Sequence, residues 1–224
     1  SLTIPANTTV ALVGESGAGK STLVDILTLM LRPREGEIYI DGVPGREVKR
    51  SSWRSQIGYV SQETAIFDDT VANNISLWKG DDASDPEVRE KIERAARRAY
   101  AHHFIEDLPN GYQTVVGDQG VRLSGGQRQR LFVARELYKE PNLLILDEAT
   151  SDLDSASERH IQDSIDALQG EVTVVTIAHR LSTVKNADRI FVLDDGRVVE
   201  EGGYHELRML KDGRFREMVE MQSL

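Results

Sequence analysis

The sequence predicts an α/β fold in which short buried strands alternate with amphipathic helices. The first observation is the apolar run Val10–Val13, which a glycine-rich loop separates from a helical pattern that begins near Lys20. The second is the continuous apolar run Leu143–Leu146, which is typical of a strand buried on both faces of a sheet. The third is the β-branched run Val172–Ile177, because strands separated by helical patterns indicate a parallel sheet.

The loop after the first strand matches the pattern G-x-x-x-x-G-K-[ST], which is typical of phosphate binding. Small residues let backbone N–H groups approach a phosphate chain closely, while the lysine supplies a positive charge and the serine a hydroxyl for Mg²⁺. A chance glycine-rich turn is the alternative, but the strand before it and the helix after it argue against chance. We therefore predict that the whole loop binds a nucleotide: Gly14, Glu15, Ser16, Gly17, Ala18, Gly19, Lys20, Ser21 and Thr22.

The rest of the N-terminal third alternates short strands with turns. We expect an edge strand at Ser1–Ile4, followed by a turn at Pro5–Asn7. Further strands are predicted at Glu37–Ile40 and Ile57–Val60, and a short helix is predicted at Val71–Leu77.

From about residue 83 to residue 140 the pattern predicts mainly helices, and we interpret this segment as an inserted helical lobe. The stretch Pro86–His103 carries apolar residues on one helical face, and its proline suits a first turn. A second helix is predicted from Gly126 to Tyr138. Its inner side is predicted to include Leu131, Ala134, Arg135 and Leu137.

The C-terminal elements also follow recognisable patterns. An amphipathic helix is predicted from Asp154 to Leu168, with a polar cap at its start. A hairpin is predicted from Arg189–Leu193 and Arg197–Glu200, joined by an acidic turn with a glycine. Short helices are predicted at Tyr204–Leu210 and Phe215–Met221.

Composition excludes several classes of protein. The chain has 224 residues with 37 acidic and 27 basic side chains, and its formal net charge of -10 argues against a surface built to hold nucleic acid. It has no cysteine, which excludes disulfides and thiolate metal sites. We find neither an apolar run long enough for a membrane span nor a signal peptide. Because the chain begins with Ser1, we expect it to be a piece of a longer protein.

Four polar side chains follow predicted strands and are candidates for chemistry. Asp147 ends an apolar strand, where a carboxylate can hold Mg²⁺ beside a bound phosphate. Glu148 comes next and is a candidate general base for water, with an acidic loop as the alternative. His179 could donate a hydrogen bond to a γ-phosphate, and Gln62 could reach Mg²⁺ or water. Alone, a strand-end histidine is more often structural, and a loop glutamine indicates nothing.

The stretch Leu123–Gln127 is a second glycine-containing turn that opens a helix, and therefore a second candidate anion site. The alternative, a glycine pair that ends a helix, accounts for neither the serine nor the glutamine. One chain then has two phosphate-binding ends but a single lysine-containing loop. Two chains arranged head to tail explain this, with the following residues of one chain covering the ATP of the other: Ser124, Gly125, Gly126 and Gln127.

Together these motifs resemble the nucleotide-binding domain of ABC transporters, and the resemblance covers essentially the whole chain. Gly14–Ser21 matches the Walker A motif, Leu143–Asp147 matches Walker B, and Leu123–Gln127 matches the signature LSGGQ. The remaining matches are the Q-loop at Gln62, the catalytic glutamate at Glu148, the D-loop at Ser151–Asp154 and the switch histidine at His179.

Three further stretches resemble exporters more than importer ATPases. Thr114–Gly120 resembles the X-loop of exporters, and both Phe67–Ile75 and Ala95–Ala101 resemble exporter sequences, notably bacterial lipid A flippases and multidrug half-transporters. The alternative is a cytosolic ABC ATPase of DNA repair or translation. Such proteins usually carry long coiled-coil insertions or tandem cassettes and basic surfaces, which this sequence lacks.

The resemblance implies one ABC ATPase domain over residues 1–224. It has a RecA-like P-loop NTPase core with an N-terminal antiparallel β portion, over residues 1–82 and 141–224, and a helical subdomain over residues 83–140. ATP and Mg²⁺ are the implied ligands. The implied catalytic residues are Lys20, Gln62, Glu148 and His179. The implied metal ligands are Ser21, Gln62 and Asp147, and Asp154 is an implied nucleotide contact.

The resemblance also implies partners and a location. A second copy completes each ATP site, and a transmembrane domain, expected upstream of residue 1, places coupling helices in the groove around Gln62–Asp69. This puts the domain at the cytoplasmic face of the inner membrane, with no nucleic-acid partner.

Three features depart from the family pattern. Asp152 replaces the usual alanine of the D-loop, and Asp118 replaces the usual glutamate of the X-loop. The aromatic residue that stacks on adenine in the family lies upstream of this first strand.

Overall fold

A computed structural model describes residues 1–61, 65–80, 85–118, 120–147, 155–178 and 181–222. Ten strands are assigned within these ranges: β1 Thr9–Val13, β2 Tyr39–Ile40, β3 Val43–Pro44, β4 Ile57–Val60, β5 Asp69–Thr70, β6 Val115–Val116, β7 Leu143–Asp147, β8 Thr173–Ile177, β9 Arg189–Asp194 and β10 Arg197–Gly202. The α-helices of the same ranges are α1 Lys20–Leu27, α2 Arg50–Arg54, α3 Val71–Ser76, α4 Pro86–Arg98, α5 His102–Glu106, α6 Gly125–Tyr138, α7 Ser155–Ala167, α8 Tyr204–Met209 and α9 Arg214–Gln222. Short 3₁₀ helices lie at Gly111–Gln113 and Leu181–Val184.

The main sheet has six strands in the order β10–β9–β1–β8–β7–β4, which confirms the predicted α/β class. The strands β9, β1, β8, β7 and β4 pair in parallel, and β10 adds an antiparallel edge. The register places the phosphate loop and Asp147 at the same end of the sheet. Ile177 pairs with Leu12 on one side and with Asp147 on the other, so Asp147 lies level with the strand residue that almost adjoins the phosphate loop.

The two faces of the sheet bury different cores, because successive strand side chains point to opposite sides. On one face, Leu12 and Ile145 pack with Val24 of α1. On the other, Leu144 and Leu146 share a core with the helical segment, including Leu131 of α6. The third core, around Phe215 of α9, lies beneath the C-terminal helices.

The helical segment packs on the sheet through α6, whose predicted inner residues are all buried: Leu131, Ala134, Arg135 and Leu137. Glu136 of the same helix accepts a hydrogen bond at 2.9 Å from the backbone N–H of Tyr59 on the edge strand β4. Lys139 lies 2.7 Å from the same carboxylate, so the buried charge is paired. This contact satisfies part of a sheet edge that would otherwise be open to pairing.

Buried Arg135 also connects α6 to the segment that follows Gln62. Its Nε donates to the carbonyl of Asn74 at 2.7 Å, and its Nη1 donates to the carbonyl of Ala65 at 2.8 Å. Its Nη2 donates to Oδ1 of Asn74 at 3.0 Å, and its guanidinium stacks near the ring of Phe67. Burial lowers the pKa of Arg135. The hydrogen bonds therefore offset the cost of burying the charge.

Two sequence-based expectations about elements are wrong. The expected edge strand at Ser1–Ile4 is irregular, and the N-terminal antiparallel pairing among the described residues is the short β2–β3 hairpin. The helix expected over Pro86–His103 ends at Arg98 and a new one starts at His102. Tyr100 lies between them with a φ of 51°, a left-handed conformation that an α-helix cannot continue through.

Over the described ranges, the helices are too short or too polar to traverse a lipid bilayer.

Candidate functional site

The phosphate loop has the backbone geometry that its glycines predict. Gly17 and Gly19 have φ values of 85° and 97°, which side-chain-bearing residues rarely adopt. The side chain of Lys20 is folded back over the loop, where its Nζ donates to the carbonyls of Gly14 at 2.8 Å and Glu15 at 2.9 Å. Lys20 is only 6% exposed, so its ammonium group is held at the mouth of the loop rather than in bulk water.

The β9–β10 hairpin supports the loop from one side. The backbone N–H of Gly196, at the hairpin turn, donates to the carbonyl of Ala18 at 3.1 Å. A Cβ at Gly14 would lie 2.3 Å from the carbonyl oxygen of Leu193, so that position admits only glycine. The first glycine of the motif is thus required by packing as well as by access to a ligand.

The start of α1 fits an anion. The helix begins at Lys20 with no acidic residue in its first turn, and no described side chain caps it at Gly19. The first N–H groups of α1 therefore face the space beside the loop, and the positive end of the helix dipole lies at the same place. Together with Lys20, this donor set suits the phosphates of a nucleotide.

Asp147, the predicted metal ligand, accepts a hydrogen bond that the sequence did not reveal. The hydroxyl of Tyr59 on β4 donates to Oδ2 of Asp147 at 2.6 Å. Tyr59 is 37% exposed, and the partial desolvation of its hydroxyl together with the hydrogen bond to Asp147 raises its pKa, so the hydroxyl remains a donor. The strand pairing could have revealed the contact, since Tyr59 pairs with Ile145, two residues before Asp147 on the same face.

The helix start at Ser124 has a structural role that our sequence argument did not allow for. The hydroxyl oxygen of Ser124 accepts from the backbone N–H of Gln127 at 3.2 Å, and the side chain of Gln127 accepts from the backbone N–H of Ser124 at 2.9 Å. This is a capping box, so the serine and the glutamine are both accounted for within one chain. The capping box is thus a further explanation of this helix start, beside the anion site and the helix-ending glycine pair.

The capping box does not remove the site's capacity to bind an anion. Ser124 and Gly125 are exposed. The Ser124 oxygen accepts in the cap, so its own hydroxyl proton is still a donor. The start of α6 lies in the helical segment, while the phosphate loop lies at the sheet end. The predicted site is therefore divided between two parts of the chain.

Four predicted site residues lie outside the described residues: Gln62, Glu148, Asp154 and His179. Three of them follow described strands in the sequence. β4 ends at Val60, β7 ends at Asp147 and β8 ends at Ile177, at the same end of the sheet as the phosphate loop.

Comparisons with known proteins agree on one family. Residues 1–151 match the family model described as ABC transporter. The chain is 50% identical over 222 residues to the ATP-dependent lipid A-core flippase of Vibrio vulnificus strain YJ016, covering 99% of this chain and 37% of that protein. It is 48% identical over 221 residues to the flippase of Chromohalobacter salexigens, with the same two coverages.

A solved structure gives the same result for the fold. The bacterial Atm1-family ABC exporter with ATP bound superposes with a TM-score of 0.85 and 41% sequence identity. The match covers 99% of this chain and 38% of that chain. This chain therefore spans well under half the length of these relatives. It belongs to the ABC transporter family.

Proposed function

We propose that this chain binds Mg²⁺ and ATP and hydrolyses the ATP to drive transport by an exporter. The observation that carries the proposal is the placement of Lys20 and Asp147. Lys20 opens α1 directly after the glycine loop, and Asp147 ends a strand level with that loop. This is the arrangement that phosphoryl-transfer chemistry requires of a cationic cradle and a metal-holding carboxylate.

The described residues have distinct roles in this proposal. Lys20 and the N-terminus of α1 bind the phosphates. When a nucleotide binds, the Lys20 ammonium would turn from the carbonyls of Gly14 and Glu15 to phosphate oxygens, whose negative charge it pairs with more strongly. Ser21 and Asp147 would hold Mg²⁺, which, when bound, neutralises charge that develops on the phosphates. Gln62 would be a further metal or water contact.

The hydrolytic step depends on residues outside the described ranges. We assign Glu148 as the general base that accepts the proton of the attacking water, and His179 as a hydrogen-bond donor to the γ-phosphate. Asp154 would contact the nucleotide or the dimer seam. These roles rest on the motifs and on the positions at which β7 and β8 end.

The second proposed element is a head-to-tail dimer driven by ATP. The exposed start of α6 has a hydroxyl donor and a helix N-terminus that suit a phosphate. It belongs to α6, which packs on the face of the sheet opposite the one that α1 covers. A second copy would bring Ser124, Gly125, Gly126 and Gln127 to the γ-phosphate, and hydrolysis would reopen the pair.

The proposal extends to the whole protein. The relatives are named as lipid A-core flippases and as an exporter, and this chain matches little more than a third of each. We propose a membrane domain that precedes residue 1 and contacts the groove near Gln62–Asp69. Its cargo would be lipid-like, drug-like or peptidic, and this domain would lie at the cytoplasmic face of the inner membrane. Within the domain, we propose a helical subdomain over residues 83–140.

The test combines turnover with assembly. The wild-type chain is expected to hydrolyse ATP only with Mg²⁺, while Lys20→Met should abolish nucleotide binding. Glu148→Gln should bind ATP, lose turnover and accumulate a dimer on size-exclusion chromatography. Turnover near the wild-type rate in Glu148→Gln would exclude that residue as the base. A monomer under all nucleotide conditions, including in the full-length protein, would exclude the shared site.

A further inference from the structure

The hydrogen bond between Tyr59 and Asp147 points to a role that the motifs do not assign. We propose that Tyr59 is a positioning residue, which orients the Asp147 carboxylate for the divalent cation of the nucleotide. The inference rests on the proposed function, since it concerns the metal that ATP hydrolysis requires. It concerns a side chain three positions before the Q-loop glutamine and outside every motif that the sequence analysis identified.

The contact between Tyr59 and Asp147 follows from the register of β4 and β7. β4 and β7 pair in parallel, with Tyr59 opposite Ile145 and Val60 opposite Leu146. Ile145 and Asp147 share a face, so the Tyr59 side chain needs to reach only one diagonal position along β7. A tyrosine spans that distance and places its hydroxyl 2.6 Å from Oδ2.

The face on which this occurs is the one that α1 covers. Ile57 and Ile145, which flank Tyr59 across the two strands, share a buried core with Val24 of α1. The phosphate loop opens directly into that helix. Tyr59 therefore approaches Asp147 from the side of the sheet that holds the nucleotide cradle.

The hydrogen bond from Tyr59 restricts the orientation of the Asp147 carboxylate. A carboxylate that ends a strand can rotate about its last side-chain bond, and a donor on one oxygen restricts that rotation. With Oδ2 accepting from Tyr59, Oδ1 is the oxygen that would face the cation. Partners of metal ligands that act in this way commonly change metal affinity by about 10-fold to 100-fold when removed.

The test measures metal affinity separately from nucleotide affinity. Mn²⁺ is titrated by electron paramagnetic resonance into the chain saturated with ADP, for the wild type, Tyr59→Phe and the control Tyr39→Phe. Tyr39 lies on β2 and is 62% exposed, so Tyr39→Phe deletes a tyrosine hydroxyl that faces solvent. We expect the Mn²⁺ dissociation constant to rise about 10-fold in Tyr59→Phe and to stay at the wild-type value in Tyr39→Phe.

A second measurement excludes a general loss of structure. ADP affinity in EDTA is expected to be equal in all three proteins, because Tyr59 acts through the metal. An equal fall in metal-free ADP affinity and Mn²⁺ affinity would show a structural role and overturn the inference. Unchanged Mn²⁺ affinity in Tyr59→Phe would overturn it also, while the proposed function would stand. A wild-type chain that bound no Mn²⁺ with ADP would overturn both.

Discussion

Gly126 lies so close to Ser157 that a Cβ at Gly126 would fall 2.0 Å from the Ser157 hydroxyl oxygen. The second glycine of the signature is therefore part of the packing between α6 and α7, in addition to any role at a phosphate. A substitution at this position perturbs the fold first, and loss of activity in such a variant cannot by itself be assigned to nucleotide contact.

The contact predicts that a side chain at Gly126 destabilises the fold and that a smaller residue at position 157 reduces this effect. Gly126→Ala should lower the free energy of unfolding by about 1–3 kcal/mol, because the methyl group overpacks a fixed interface. Ser157→Gly in the same background removes the clashing atoms, so the double variant should be less destabilised than the sum of the two single variants. By itself Ser157→Gly should cost about 1 kcal/mol, as glycine does inside a helix.

Urea unfolding of the two single variants and the double variant completes the cycle. Additive effects of the two substitutions would contradict direct contact as the cause.

The capping box predicts that the two roles of Ser124 can be separated. Ser124→Asp retains an acceptor for the Gln127 N–H, and aspartate caps as well as serine, so stability should be unchanged. It replaces a hydroxyl donor with a negative charge that would face a phosphate. We therefore expect the ATP-dependent dimer of the Glu148→Gln variant to be lost when Ser124→Asp is added.

The matched variant is Ser124→Ala, which removes both the cap and the donor. It should lower the free energy of unfolding by about 1 kcal/mol and weaken the dimer. Thermal unfolding and size-exclusion chromatography with ATP measure the two effects. A dimer that persists in Ser124→Asp would mean that this helix start does not meet a phosphate.

The buried guanidinium of Arg135 predicts a large cost for a conservative change. Arg135→Lys keeps the charge but cannot reproduce the forked donors to Asn74 and Ala65. We expect a loss of about 2 kcal/mol in the free energy of unfolding. Arg46→Lys is the control, because Arg46 pairs with Glu37 at the surface and should cost less than about 1 kcal/mol. Equal costs in chemical denaturation would refute the difference.

The carboxylate of Asp69 predicts a dependence on pH. Hydrogen bonds from the Asn73 side chain, the Thr70 backbone N–H and the Trp78 indole lower the pKa of Asp69. A lowered pKa in the folded state means that the ionised group stabilises the fold above its unfolded pKa. That contribution is lost as pH falls through the lower folded pKa, in the range below about pH 4.

Trp78 provides the reporter, because its Nε1 donates to Asp69 at 2.7 Å. The chain has two tryptophans, so Trp53→Phe leaves Trp78 as the only one. Its fluorescence should change with a midpoint below that of an ordinary aspartate, and the additional change Asp69→Asn should remove the transition. A midpoint at or above about pH 4 would contradict the lowered pKa.

Much of the site was visible in the sequence because its elements are local. Strand β1, the phosphate loop and α1 are consecutive, so spacing and residue type were enough to predict them. The same holds for β7 and Asp147, which form one buried run with a charge at its end. Contacts between distant segments were not predictable in this way. The Tyr59–Asp147 hydrogen bond joins residues 88 positions apart, and it depends on the register of two strands.

In the signature segment Leu123–Gln127, the same residues serve helix capping, packing and the predicted phosphate site. Its spacing predicted a helix start correctly, but the same serine and glutamine also close a capping box, and its second glycine packs on α7. Function and packing place overlapping demands on these positions. Their identity alone therefore could not distinguish the two.

By itself, the sequence determined the α/β class and most of the strands and helices, and it predicted the candidate phosphate loop, because backbone periodicity and loop chemistry are local properties. Tertiary structure alone decided which strands are neighbours, that Arg135 donates to the carbonyl of Ala65, and that Tyr59 donates to Asp147. These contacts depend on burial and strand register, which join residues far apart in the chain and leave no repeating pattern in it.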